Sequence, residues 1–184
     1  MDHDVAVSDN PSLSIESPES TNDSSPEIPY KRIDHIALAV RNLEEAVHLF
    51  ENVLGFELKG RRHIRGTRTG MISAEMEING IRFVLCQGTE PQSQVSQLIE
   101  NFGVGVAHVA LEVEDVEKTV GTLRDRGMRF DTNVIRGAGL TQSFTTRCHN
   151  TGLSFELIRR EGEEGFLESN VQALFDQLEE GNKY

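Results

Sequence analysis

Two histidines stand at equivalent points of a duplicated stretch of this chain. At an offset of 73 residues, Asp34-His-Ile-Ala-Leu-Ala-Val-Arg-Asn-Leu-Glu-Glu-Ala-Val47 aligns with Ala107-His-Val-Ala-Leu-Glu-Val-Glu-Asp-Val-Glu-Lys-Thr-Val120, pairing His35 with His108. A lone histidine in a strand is ordinarily a packing or surface residue. Two at matched positions of an internal duplication point to a shared role. Period-two alternation aims both rings at the same side of their sheets, so that pairing the two copies brings them together.

A mononuclear metal needs a third ligand, and the last strand-like stretch of the second copy supplies one. In Leu153-Ser-Phe-Glu156-Leu-Ile-Arg-Arg160, Glu156 lies among apolar residues. A buried carboxylate there requires a metal or a cation as partner; the alternative is a glutamate on the wet face of the strand. The matching stretch of the first copy, Ile81-Arg-Phe-Val-Leu-Cys86, contains no acid, and Gln87 at its end is the one weak candidate for a fourth protein ligand. Two imidazoles and a carboxylate with open positions suit non-haem Fe(II) and oxygen chemistry, other divalent metals remaining open, whereas four protein ligands would favour a Lewis-acid isomerase or lyase. His48 within a helix, His63 among Arg61, Arg62 and Arg65, and His149 in a turn read as solvated. The basic stretch reads as a strand's solvent face, with docking of a carboxylate or phosphate as the alternative.

The elements that position these residues follow from the same repeat. Each copy opens with an alternating, β-branched strand (Ile33–Val40; Val106–Val113), followed by a cap at Asn42 or Asp115 and a helix. Leu43, Ala46, Val47, Phe50 and Leu54 recur at helical spacing in the first, Val116, Thr119, Val120 and Leu123 in the second, and the helices stop near Gly55 and Gly127. Strand periods then return, over Phe56–Ile64, Gly70–Ile78 and Ile81–Gln87, and over Arg129–Ile135, Leu140–Thr146 and Leu153–Arg160. A short amphipathic segment, Val95–Phe102, links the copies. The expected fold is α+β, two paired βαβββ modules forming a curved, partly open mixed sheet, with a C-terminal helix beyond. Ile36, Leu38, Val109 and Leu111, opposite the ligands, are expected under the helices.

Composition bounds the rest. The chain has 184 residues, enough for one ordinary domain. Residues 1–29 hold seven Ser, four of the five Pro, seven acids and no Lys or Arg, and read as a disordered arm. Residues 30–184 then carry 23 acids against 18 bases, a net charge of −5 compared with −12 for the whole chain. Neither value suits a nucleic-acid binder. No apolar run approaches membrane-spanning length and the start lacks a secretory pattern, so a cytoplasmic protein is expected. Cys86 and Cys148 show no Cys-x-x-Cys spacing and indicate neither a disulfide framework nor a thiolate zinc site. The domain divides into module one (30–90), module two (104–160) and a C-terminal helix (166–181).

The duplicated module, its Asp-His-Ile and Ala-His-Val openings and the final Phe-Glu-Leu-Ile together resemble the vicinal oxygen chelate (glyoxalase and dihydroxybiphenyl dioxygenase) superfamily over residues 32–160. Within it, Gly103-Val-Gly-Val-Ala-His108-Val-Ala-Leu, Thr141-Gln142-Ser-Phe-Thr145 and the tail from Glu164 to Phe175 resemble the catalytic half of the 4-hydroxyphenylpyruvate dioxygenases. That resemblance implies Fe(II) held by His35, His108 and Glu156, a 2-oxo acid bound to it, and oxygen-dependent release of carbon dioxide. It also implies Gln142 and Asn170 as catalytic residues and Gln94, Gln142, Phe166 and Phe175 as substrate-binding residues, the last helix acting as a lid. Ala107, Leu167 and Val171 depart from that family's pattern. The stretch Gly137 to Gly152 with Glu156, and the run Gln92–His108, resemble the methylmalonyl-CoA epimerases instead, which implies a metal-dependent epimerase or lyase as the alternative; a metal-free small-molecule binding protein on the same fold is the third reading. Superfamily members often pair, which is compatible with a homodimer.

Overall fold

The computed structural model describes residues 27–66, 68–137, 139–162 and 172. The first copy of the repeat forms β1 (Tyr30–Ala39), α1 (Leu43–His48), β2 (Glu57–Arg65), β3 (Gly70–Ile78) and β4 (Ile81–Gly88). After the linking helix α2 (Gln94–Phe102), the second forms β5 (Gly105–Val113), α3 (Val116–Asp125), β6 (Ile135–Gly137), β7 (Leu140–Phe144) and β8 (Phe155–Arg160). All eight strands join one mixed sheet, curled into a half-barrel, in the order β2-β3-β4-β1-β5-β8-β7-β6. At its centre β1 and β5 run antiparallel, and each is parallel to the last strand of its own module. The duplication in sequence thus becomes a pseudo-twofold axis between β1 and β5. The register shows it directly, because His35 lies opposite Ala110 and Ala37 opposite His108.

The helices cover one face of the sheet and leave the other to the histidines. Asn42 accepts the backbone N–H groups of Glu44 and Glu45, and Asp115 accepts that of Lys118, so both expected caps satisfy N–H groups that the first helical turn leaves unpaired. From α1, Leu43 and Val47 pack with Phe50, Met76 and Leu85, with Leu38 against them; from α3, Val116 and Val120 pack with Val113 and Leu157. Ile36, Val109 and Leu111 are half-buried on that side. A Cβ at Gly88 would collide with the hydroxyls of Ser93 and Ser96, so glycine there lets the start of α2 close on the end of β4.

Three local expectations are corrected. The first helix stays α-helical only to His48 and continues as a π-turn over Leu49–Val53, whose extra residue per turn rotates Leu54 out to 52 % exposure instead of onto the buried stripe. The expected strand Arg129–Ile135 reduces to a single bridge, Phe130 to Thr145, before β6 begins at Ile135. There the Thr132 hydroxyl takes the Phe144 N–H and Asp131 takes the Thr146 hydroxyl, side-chain bonds that stand beside the two backbone bonds Asp131 N–H to Phe144 O and Thr146 N–H to Arg129 O. Gln87, at the end of β4, is engaged by the backbone of α1 and not by the site. The arm, apart from residues 27–29, and Phe166, Asn170 and Phe175 of the expected lid lie outside the described residues.

Candidate metal centre

Because β1 and β5 flank the pseudo-twofold axis, the two histidine rings enter the same space. Their centroids are 5.4 Å apart and their planes nearly perpendicular, at 83°. The Nε2 atoms approach to 3.3 Å. Glu156, placed on β8 opposite Ala110, brings Oε2 to 3.2 Å from His35 Nε2 and 3.3 Å from His108 Nε2. Only 1 % of Glu156 is exposed, so it does not lie on a wet face. Its other oxygen, Oε1, is buried without a hydrogen-bond partner, a costly state for a carboxylate oxygen unless a cation engages it. That orphaned atom and the donor set fit a divalent metal: ligating atoms from three strands lie within 4.8 Å of one another.

The first module contributes no fourth ligand from its last strand. Ala37 pairs with Val84 as Ala110 pairs with Glu156, so an apolar side chain fills the place related to the carboxylate by the pseudo-twofold. Gln87, the candidate fourth ligand, is occupied elsewhere: its Oε1 accepts the Leu43 N–H at 2.7 Å and caps the first turn of α1. Cys86 lines a cavity that opens on the three ligands, but burial pushes its thiol up to about 12, only partly offset by the Arg62 charge, which keeps it a thiol and not a thiolate ligand. His48, His63 and His149 are exposed.

Charge around the three ligands is strongly coupled. Burial opposes ionisation of Glu156, yet the His35 charge and hydrogen bonds from both imidazoles outweigh it and hold the carboxyl at about 2. Burial likewise opposes a charged His35, and the Glu156 and Asp34 carboxylates overcome it, raising its pKa; for His108 burial wins and the pKa falls. A metal must displace a proton from any imidazolium it binds. Apparent metal affinity is therefore expected to fall on acidification by about tenfold per pH unit once one histidine holds a proton and by about a hundredfold once both do. Metal titrations from pH 8 to pH 5 check this, and a pH-independent affinity would contradict it.

The sequence reading missed the support behind His35. A bulge at Asp34, between the Ile33 and His35 pairings, lets consecutive residues turn toward the same interior. The His35 Nδ1–H donates to Asp34 Oδ1 at 2.8 Å, so that Nε2 is the nitrogen that gives up its proton and presents a lone pair when a metal enters. Asp34 is in turn gripped by Arg160 at the end of β8, Nε to Oδ2 at 2.7 Å and Nη2 to Oδ1 at 2.8 Å. This fork ties the first strand of one module to the last strand of the other. The signal was the asymmetry of the repeat: Asp34 precedes one histidine where Ala107 precedes the other, whose carbonyl instead accepts from Arg147 Nη2.

A cavity of about 60 Å³ opens on the three ligands. Gln142 on β7, 2 % exposed, lines it together with Phe144, Val84 and Met71. Gln94, by contrast, begins α2 and is not among the lining residues. Ser73 and Arg62 also line the cavity; Ser73 was not expected there, and Arg62 was read with its basic stretch as solvent-facing, docking of a carboxylate or phosphate being the alternative.

A model of the Glyoxalase/Bleomycin resistance protein/Dioxygenase superfamily matches residues 32–151. The chain belongs to this superfamily. A 4-hydroxyphenylpyruvate dioxygenase of Pseudomonas aeruginosa is 30 % identical over 198 aligned positions, covering 88 % of this chain and 55 % of that one. Among solved structures, a variant 4-hydroxymandelate synthase of Streptomyces coelicolor matches 84 % of this chain and 55 % of its own, with a TM-score of 0.74 at 24 % identity, a likeness of fold. A variant methylmalonyl-CoA epimerase of the same organism, in complex with 2-nitronate-propionyl-CoA, matches 74 % of this chain and 99 % of its own, with a TM-score of 0.62 at 26 % identity. The chain spans about half the length of the curated relatives it matches. Among the described residues of this glyoxalase-superfamily chain, no helix is long and apolar enough to cross a membrane.

Proposed function

We propose that the protein is an Fe(II)-dependent dioxygenase acting on a small 2-oxo acid. The observation that carries this reading is the three-ligand set itself: His35, His108 and Glu156 converge, Val84 takes the place of a fourth ligand, and Gln87 is committed to α1. Two imidazoles and one carboxylate leave several positions open, as bidentate substrate and dioxygen together require. Bound there, Fe(II) would supply Lewis acidity toward the 2-oxo acid and the capacity to activate dioxygen.

The chain's own residues do the remainder. Asp34 keeps the proton of His35 on Nδ1, so Nε2 presents its lone pair. Phe144, Met71 and Val84 exclude water from the reacting end. Gln142 lies on the same wall and donates a hydrogen bond to the substrate. Gln142→Ala is accordingly expected to leave metal content unchanged and to lower kcat/KM about tenfold to a hundredfold, the loss of one hydrogen bond to a charged group. Steady-state oxygen uptake by the variant checks this, and an unchanged kcat/KM would remove Gln142 from the site.

The second reading is a metal-dependent epimerase or lyase, favoured by the near-complete coverage of the methylmalonyl-CoA epimerase chain. Metal analysis of anaerobically purified protein, followed by oxygen uptake with a panel of 2-oxo acids, separates the two. Iron with substrate-dependent oxygen uptake is the expected result. Another divalent metal, with proton exchange in an acyl-CoA thioester and no oxygen uptake, would replace the dioxygenase with the epimerase.

A further inference from the structure

Arg62 is the residue of the basic run that turns inward. On β2 its neighbours Arg61, His63 and Arg65 are exposed, and Arg61 pairs on the outer side with Glu44 of α1 at 2.6 Å. The Arg62 side chain is 17 % exposed and lines the cavity that holds His35, His108 and Glu156. Among the described residues it is the single Lys or Arg that lines that cavity. Its cross-strand partner on β3 is Ser73, 3 % exposed and on the same wall. Glu75, two positions along β3, fixes the guanidinium from behind, with Arg62 Nη2 at 3.3 Å, while the same carboxylate also receives Arg82 Nε at 3.1 Å.

By strand order the polar lining of the cavity falls into two groups separated by the apolar residues of β4. The metal ligands come from β1, β5 and β8; Val84 and Cys86 of β4 lie between; Arg62 and Ser73 of β2 and β3 form the second group. A guanidinium is a planar fork of donors matched to a carboxylate, and in a site walled by Met71, Val84 and Phe144 its attraction for an anion is little screened. We infer that Arg62, with Ser73 beside it, binds a second carboxylate at the far end of the substrate, so that the site takes a 2-oxodicarboxylic acid. The inference rests on the reading above, that the metal end holds a 2-oxo acid. It assigns the choice among such acids to β2 and β3, outside the ligand set.

Two probes of equal chain length test it, 2-oxopentanoate and 2-oxopentanedioate, titrated calorimetrically into the Fe(II)-loaded full chain without oxygen. They present the same chelating end and differ in a terminal methyl or carboxylate. The diacid is expected to bind at least about tenfold more tightly, the worth of one charge-assisted pair. Arg62→Gln is expected to abolish that preference with iron content unchanged, and Arg62→Lys to keep part of it, since charge remains and the fork is lost. Equal affinity of the native protein for both acids, or a preference that survives Arg62→Gln, overturns the role of Arg62 while leaving the 2-oxo acid reading in place. Failure of both acids to bind overturns both.

Discussion

Glu156→Gln is expected to empty the metal site while leaving the fold intact. The substitution keeps size and shape but removes the one anionic ligand, and an amide cannot neutralise the cation's charge. After anaerobic loading with Fe(II) and removal of excess metal, bound iron should fall from about one equivalent per chain to a trace. Circular dichroism should be unchanged, because Glu156 is held by its neighbours' nitrogens at 3.2 and 3.3 Å and the Gln side chain occupies the same space. His35→Ala and His108→Ala should lose iron in the same way. The exposed His48, His63 and His149 should not matter when replaced by Ala. Stoichiometric iron in folded Glu156→Gln protein would dismiss the three-residue site.

The second large effect is expected at Asp34, through stability and metal affinity together. Arg160 has a side chain only 9 % exposed, and Asp34→Asn removes the carboxylate that grips it, leaving its charge to Glu156 and Glu75, neither of which replaces the fork. Breaking one partner of a buried pair costs about 3–5 kcal/mol of stability, measured by urea unfolding. Loss of the carboxylate behind His35 should also weaken metal binding about tenfold to a hundredfold. Adding Arg160→Met should recover stability, since it removes the stranded charge, without recovering metal affinity. If the Asp34→Asn protein kept native stability and affinity, the fork would be ornamental. The pH dependence has a defined sign. Burial would raise the Asp34 carboxyl, but hydrogen bonds and charge from Arg160 and His35 hold it well below the usual carboxylate range. Its contribution is thus fully present above its ordinary value of 3.8 and is lost as the pH falls below that. The acid limb of the native stability curve should flatten in the variant.

The repeat made most of the fold legible. Matching His35 with His108 and Ala37 with Ala110 anticipates the register in which each histidine faces the other's alanine, because a twofold that sets one residue against a second must set their two counterparts against each other in the same way. Glu156 was legible through its apolar neighbours, a context in which a buried acid requires a partner. What escaped the sequence was local and irregular. Period-two counting places Asp34 on the face opposite His35, and only the bulge turns both toward one interior. Charge runs read as solvent-facing, so Arg62 was absorbed into its exposed neighbours, although alternation alone sends one residue in two inward. Gln87 stood at the right end of the right strand, but the unpaired N–H of Leu43 claimed its oxygen.

The ligand set is tested most directly by the anomalous scattering of iron in crystals of the Fe(II)-loaded protein. The account predicts one peak bonded to Nε2 of His35, Nε2 of His108 and a carboxylate oxygen of Glu156, with no other protein ligand. A peak away from these atoms, or one completed by a fourth side chain, would contradict it.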